Sequence, residues 1–327
     1  MCSRQNDRSS LRARMSVHPI DKLERWLPRS RGAKEGAPVE AFEASIQTSN
    51  PPVAVDGPYG PVRLKWHKLR THLAEAPFKL SNLALGWQLG ASLEVDILAT
   101  ADERFAVLHD PTLGPSTTGR GRVARMPIAS MRGLFHRNAD GAPDPDAPVL
   151  ALAELVDPLR RLPRAPSANL QLDLKLLEGH TLADSAVTDA AAAVAGLADA
   201  IVVGSHHLDD ARRLAAAIPG ARLGYDPMLA ISRQRDLRDP QRLLRHIERR
   251  MTGVSLAYLR YDAIVAAENQ GFPLVACLLD LGIETDAWTV NPGRDIDDSI
   301  LRTLVGARVR QITTDVPSEI FRLIRSL

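Results

Sequence analysis

From residue 62 onward the chain alternates short β-rich runs with longer helical ones, and this alternation restricts the fold more than any other feature. Eight runs read as strands: Val62–His67, Leu93–Leu98, Leu170–Lys175, Ala200–Ser205, Ala221–Asp226, Gly253–Ala257, Thr285–Val290 and Arg310–Thr314. Between them lie segments with helical spacing: Leu80–Leu89, Ala151–Arg161, Leu182–Leu197, Leu208–Ile218, Arg233–Arg250, Asp262–Leu281 with Pro273 interrupting it, and Asp295–Val305, with Ser318–Leu327 closing the chain. Strands separated by helices pair parallel through crossovers, because a hairpin needs only a short turn. Eight such units in residues 62–327 predict an α/β fold, a closed (β/α)8 TIM barrel, over two smaller sheets. The alternation lapses between residues 103 and 169, where Phe105–His109 is followed by a Gly/Pro/Arg-rich segment. That predicts a loop excursion after strand 2, at one mouth of the barrel.

Ahead of the barrel the composition changes. The whole chain of 327 residues has a net charge of +2, yet residues 1–35 hold nine Lys/Arg against four Asp/Glu. The basic excess is therefore confined to an N-terminal arm. Ile20, Leu23 and Leu27, with Trp26 beside them, are spaced for one short amphipathic helix that Pro28 would end. Residues 48–61, TSNPPVAVDGPYGP, read as a linker. We therefore expect residues 1–61 to form a weakly structured arm and linker, and residues 62–327 the barrel domain. A loosely docked tail is the preferred reading of the arm, ahead of packing over the body or contact with an anionic membrane surface. Aromatic residues make up 4% of the chain, and the barrel lacks a basic excess, which argues against nucleic acid as a partner. No run approaches the roughly 18 apolar residues of a membrane span. The start, MCSRQNDRSSLRARM, has no apolar centre for a secretory signal, and the two cysteines, Cys2 and Cys277, offer no disulfide framework. A reducing, cytoplasmic setting is the expectation. The sequence gives no signal for oligomeric state.

Active sites of such barrels sit at the C-terminal ends of the strands. In Leu93-Glu94-Val95-Asp96-Ile97 the two carboxylates, two residues apart, project to the same side. Paired acids inside a barrel are costly unless a cation lies between them, and a hard divalent ion is the usual resolution. Strand 3, Leu170-Gln171-Leu172-Asp173-Leu174-Lys175, adds a third carboxylate and an ammonium in the same phase. A single strand of this kind could be a solvated edge; two of them in a parallel order favour a site. His67 and His109 fall where strands should end. A lone histidine there is more often structural, but two beside a candidate metal cluster suit an acid/base couple, because imidazole titrates near neutrality.

The run from Leu89 to Asp102, continuing through Val107-Leu108-His109-Asp110-Pro111-Thr112-Leu113 to Thr117-Thr118-Gly119-Arg120-Gly121, resembles the core signature of the glycerophosphodiester phosphodiesterase family. Pro148–Leu155, Asp173-Leu174-Lys175, Ala287-Trp288-Thr289-Val290-Asn291 and Ile312-Thr313-Thr314-Asp315-Val316-Pro317 resemble its later segments in order, so the likeness spans about residues 62–323. The resemblance implies that Glu94, Asp96 and Asp173 hold one divalent cation, Mg2+ or Ca2+ with Mn2+ as a third option. It implies that His67 and His109 are the catalytic pair, with His67 preferred as acid and His109 as base, and that Lys175 faces the substrate phosphate. Trp288 reads either as barrel-top packing or as a wall of the substrate pocket. Asn291 and Asp315 are expected to hold loops by local hydrogen bonds, and His72, His206 and His207 are weaker candidates.

The likeness has gaps. His67-Lys68-Leu69-Arg70 stands where the family has His-Arg-Gly, so either Lys68 or Arg70 supplies the phosphate-binding charge, and only the guanidinium offers a bidentate fork. The family's Pro-Glu-Asn-Thr stretch is missing around Ala76–Leu80, Asp173 replaces a more usual glutamate, and Pro115 replaces an arginine. The activity implied is metal-dependent hydrolysis of small-molecule glycerophosphodiesters to an alcohol and sn-glycerol 3-phosphate, a step of lipid metabolism. One alternative is a lysophospholipase D or sphingomyelinase D-like enzyme acting on lipid head groups. Another is a non-catalytic barrel that binds a phosphorylated ligand.

Overall fold

The computed structural model describes residues 50–176, 180–229, 239–293 and 296–327. The expected basic arm, with its Ile20–Leu27 helix, lies outside the described residues, as does the first part of the segment Arg233–Arg250. The eight barrel strands are β1 (Gly60–Trp66), β2 (Ser92–Ala99), β3 (Asn169–Lys175), β4 (Ile201–Ser205), β5 (Arg222–Tyr225), β6 (Val254–Arg260), β7 (Glu284–Trp288) and β8 (Gln311–Thr314). Each pairs parallel with the next, and β8 pairs with β1, so the sheet closes into the (β/α)8 barrel the alternation predicted.

The helices follow the same alternation: α1 (Leu80–Leu89), α2 (Leu152–Val156), α3 (Asp184–Ala193), α4 (Leu208–Ala216), α5 (Pro240–Arg250), α6 (Tyr261–Asn269), α7 (Leu274–Asp280), α8 (Asp298–Gly306) and α9 (Pro317–Arg325). The segment expected as one helix over Ala151–Arg161 is instead α2 followed by a 3-10 turn at Asp157–Arg160. Pro158 has no N–H for the α-helical ladder, so the turn tightens there. Residues 54–57, inside the expected linker, form a strand that pairs antiparallel with β1.

Parallel strands covered on both faces usually read as continuous apolar runs. Here they alternate, because the barrel interior is polar. Leu93, Val95 and Ile97 of β2 and Leu170, Leu172 and Leu174 of β3 turn outward into one large core with the helices. The intervening Glu94, Asp96, Gln171 and Asp173 turn inward. The register sets Asp96 directly opposite Asp173. Tyr258, in β6, crosses the interior over β4 and β5, where a Cβ on Gly204 or Gly224 would stand 2.8 or 2.4 Å from its ring. Only glycine permits that approach.

The excursion after β2 is a small compact unit. Phe105–Val107 pairs antiparallel with β2, and a hairpin, Phe135–Arg137 with Pro143–Pro148, folds beyond it. Leu108, Leu113, Val123, Ile128 and Met131 form its own core. The excursion also buries His136, packed edge-on against Phe78 with ring centroids 5.0 Å apart. Burial pushes this imidazole down to about 4. The unfolded chain therefore binds the proton more readily than the folded one. The stability this contributes is intact above about pH 6.5 and is lost as the pH falls towards 4, by about 2–3 kcal/mol. Between pH 7.5 and 4.5, urea titrations should show the wild type losing that much more stability than His136→Gln. Parallel losses in the two proteins would refute the assignment.

Candidate active site

Glu94, Asp96 and Asp173 converge at the C-terminal mouth, with one carboxylate oxygen of each within 4.8 Å of the others. Glu94 and Asp96 are almost fully buried. Burial first, and then the charge of Asp96, pushes the Glu94 carboxyl up to about 7. Two groups partly offset this crowding. Lys175 Nζ lies 2.7 Å from Asp173 Oδ2 and 3.1 Å from Asp96 Oδ1. The backbone N–H of Lys68 donates to Glu94 Oε2 at 2.6 Å. Burial would raise the Asp173 carboxyl, but the Lys175 charge overrides it and holds the group below its ordinary value. Asp96 Oδ2 remains buried without a hydrogen bond, and Lys68 Nζ stands 3.9 Å away. A buried carboxylate oxygen with no donor, among three oxygen ligands of suitable spacing, fits a hard divalent cation.

Two histidines face this cluster, each tethered through Nδ1 to a carboxylate. His67 Nδ1 is 2.9 Å from Asp315 Oδ1, and His109 Nδ1 is 2.8 Å from Asp110 Oδ1. Each tether engages Nδ1 and orients the ring. Asp315 is the more deeply buried partner, and Asn291 Nδ2 donates to its other oxygen at 2.6 Å. Burial would raise Asp315, but the hydrogen bond and charge of His67 outweigh it and hold the carboxyl below its usual value. Asn291 and Asp315, each expected to hold its loop by local hydrogen bonds, bond to one another across 24 residues of sequence, and Asp315 also orients His67.

His67, Lys68, His109, Lys175 and Trp288 line one cavity of about 270 Å3 with Glu94 and Asp173. Trp288 is both wall and packing, since it also rests on the cluster of Val202, Leu256 and Tyr258. Arg70 does not line this cavity. It donates to the Glu75 carbonyl, stands 3.7 Å from Asp315 and faces a neighbouring cavity. The rings of His206 and His207 pack at a tilt of 48°, with centroids 4.2 Å apart, beyond β4, and the backbone N–H of His72 donates to Glu75.

The sequence model of the glycerophosphoryl diester phosphodiesterase family matches residues 85–319. The chain belongs to this family. Solved structures with the same fold include a candidate glycerophosphoryl diester phosphodiesterase from Silicibacter pomeroyi, 22% identical, with 81% of this chain and 93% of that one aligned at a TM-score of 0.61. A glycerophosphodiester phosphodiesterase from Agrobacterium tumefaciens is 19% identical, with coverages of 81% and 100% and a TM-score of 0.56. An Oleispira antarctica phosphodiesterase, solved with the product sn-glycerol-3-phosphate, is 17% identical, with coverages of 80% and 96% and a TM-score of 0.57. No curated protein matches the sequence significantly.

The matched span of the phosphodiesterase family starts after β1, so it omits His67, Lys68 and Arg70, where the likeness was expected to begin at residue 62. The backbone is unusual there as well. Lys68 and Leu69 both take left-handed conformations, at φ 53° and 57°. A leucine pays about 1–2 kcal/mol for that region. Leu69 is fully buried in the core, and burying its side chain returns about 1.5–3 kcal/mol.

Several interior residues of this phosphodiesterase were missed in the sequence. Lys65, almost fully buried, places Nζ 2.6 Å from Asp286 Oδ2 and donates to Gln171 Oε1 at 2.5 Å beneath the Tyr258 ring. Gln311 Nε2 and Thr313 Oγ1 each donate to Asp286 at 2.6 Å. Asp226, just past β5, also lines the active-site cavity, and burial pushes its carboxyl up to about 7. Strand phase puts Lys65 on the face of His67, two residues on, and Asp286 on the face of Trp288, two residues on.

Proposed function

We propose that the protein hydrolyses glycerophosphodiesters to an alcohol and sn-glycerol 3-phosphate, with His67 and His109 as its acid/base couple and a divalent cation held by Glu94, Asp96 and Asp173. The observation that carries this reading is the convergence of two carboxylate-tethered imidazoles and a three-carboxylate cluster on one cavity. A bound Mg2+, Ca2+ or Mn2+ would neutralise non-bridging phosphate oxygens and make the phosphorus accessible to a nucleophile. Lys175 and Lys68 add positive charge around the same oxygens. One imidazole removes a proton from the attacking hydroxyl or water, while the other donates a proton through Nε2 to the departing alcohol oxygen. Asp315 and Asp110 keep each ring in the tautomer that presents Nε2 to the substrate. Trp288 gives the glycerol half an apolar wall.

His67→Ala and His109→Ala are each expected to lower kcat by about 10²–10⁴-fold, the usual contribution of positioned acid/base groups. Phosphorus NMR of glycerophosphoinositol turnover is the measurement, with glycerol 3-phosphate as the accumulating product. Undiminished turnover in both variants would reject the couple. A persistent cyclic phosphate would reject simple hydrolysis.

A further inference from the structure

A second cavity, of about 350 Å3, opens beside the first, and Lys68 and His109 line both. Its remaining cationic walls come from Arg70, in the loop after β1, and from Arg137, in the excursion. Arg137 Nε donates to the Thr117 carbonyl at 2.9 Å and Nη1 to the Gly141 carbonyl at 2.6 Å. Among the described residues no carboxylate lies within 4.0 Å of it, and Nη2 has no protein acceptor. The guanidinium is thus fixed in direction but not neutralised. The cavity's one acid is Asp110, which is engaged with His109. Lys68, Arg70 and Arg137 therefore leave the lining with a positive excess, to which the buried, neutral His136 adds nothing.

Hydrogen bonds within the chain hold the walls of this cavity together. Asn138 Oδ1 accepts from the Ala76 N–H at 2.8 Å, and the Ala139 N–H donates to the Ala74 carbonyl at 3.1 Å, which latches the excursion onto the loop after β1. A phosphodiester held at the carboxylate cluster has two substituents. With one of them on the Trp288 wall, the other would have Lys68 and His109, shared by the two cavities, as its way into the second. Preset guanidinium groups with unused donors favour anionic oxygens there and disfavour a quaternary or primary ammonium.

We infer that the second cavity receives the alcohol half of the substrate and selects alcohols that carry an anionic group of their own, a phosphate or a carboxylate. This rests on the phosphodiesterase reading above. The test compares kcat/KM of the full-length protein with Mg2+ on glycerophosphodiesters of inositol phosphate, glycerol phosphate and glycerate against those of choline and ethanolamine. The first two carry phosphate and the third carboxylate, so the arms separate the two sources of negative charge. The anionic substrates are expected to be preferred at least tenfold over the choline diester. In Arg137→Gln that ratio should fall about tenfold, and in Arg137→Glu it should turn in favour of choline. A ratio is unaffected by the fraction of protein folded, and a relative gain on choline cannot come from misfolding. Equal use of both classes by the wild type, or a ratio unmoved in both variants, overturns the inference. Turnover of none of the substrates would instead overturn the phosphodiesterase reading, and this inference with it.

Discussion

Glu94→Gln is expected to lower diesterase turnover on the order of 10³-fold, equivalent to about 4 kcal/mol of transition-state stabilisation, while the protein melts no lower than the wild type. The two halves of this result have one cause. Burial disfavours the Glu94 charge most, and the negative charge of Asp96 beside it adds repulsion, which together push its carboxyl up to about 7. The crowding is unfavourable to the fold and favourable to a divalent cation. A neutral amide of the same size keeps the packing, removes the repulsion and removes a ligand. Asp96→Asn should behave alike, and excess chelator should bring the wild type down to the level of these variants. Full activity in excess chelator would end the metal assignment. A large drop in melting temperature for Glu94→Gln would instead make the cluster a structural ion network.

Lys65→Met is expected to cost about 3–5 kcal/mol of stability, measured by urea unfolding, because it leaves Asp286 charged and unpaired inside the barrel. For a domain whose total is about 5–15 kcal/mol, that is roughly a fifth of the margin or more. Asp286 is fully buried, and Gln311 and Thr313 satisfy it only as hydrogen-bond donors. Adding Asp286→Asn removes the charge but keeps an acceptor for those donors, so the double variant should regain much of the loss. The coupling energy is the difference between the double variant and the sum of the singles. Additive costs would show that the lysine and the aspartate do not act as a pair.

Much of the candidate site was legible in the sequence because a strand's period of two ties spacing to side. Glu94 with Asp96, and Asp173 with Lys175, had to share a face whatever the register, and closing the barrel turns that face inward. The same rule extends to Lys65 ahead of His67, yet a lysine in an alternating strand also reads as solvent-facing, and nothing local separates the two. Arg70 illustrates the opposite limit. It lies in a loop, where no period fixes direction, and its side chain turns to Asp315 and the second cavity rather than to the carboxylates.

The sequence by itself determined the alternation, hence the parallel barrel, and the in-phase acids whose cost calls for a cation. Tertiary structure alone decided the register that sets Asp96 against Asp173, the tether of His67 to Asp315, and the meeting of Arg70 and Arg137 at a second cavity. The division has a physical reason. Backbone periodicity acts over a few residues and can be read from their order, whereas His67 and Asp315 are 248 residues apart. Contacts of that kind exist only once the sheet has closed and the excursion has docked.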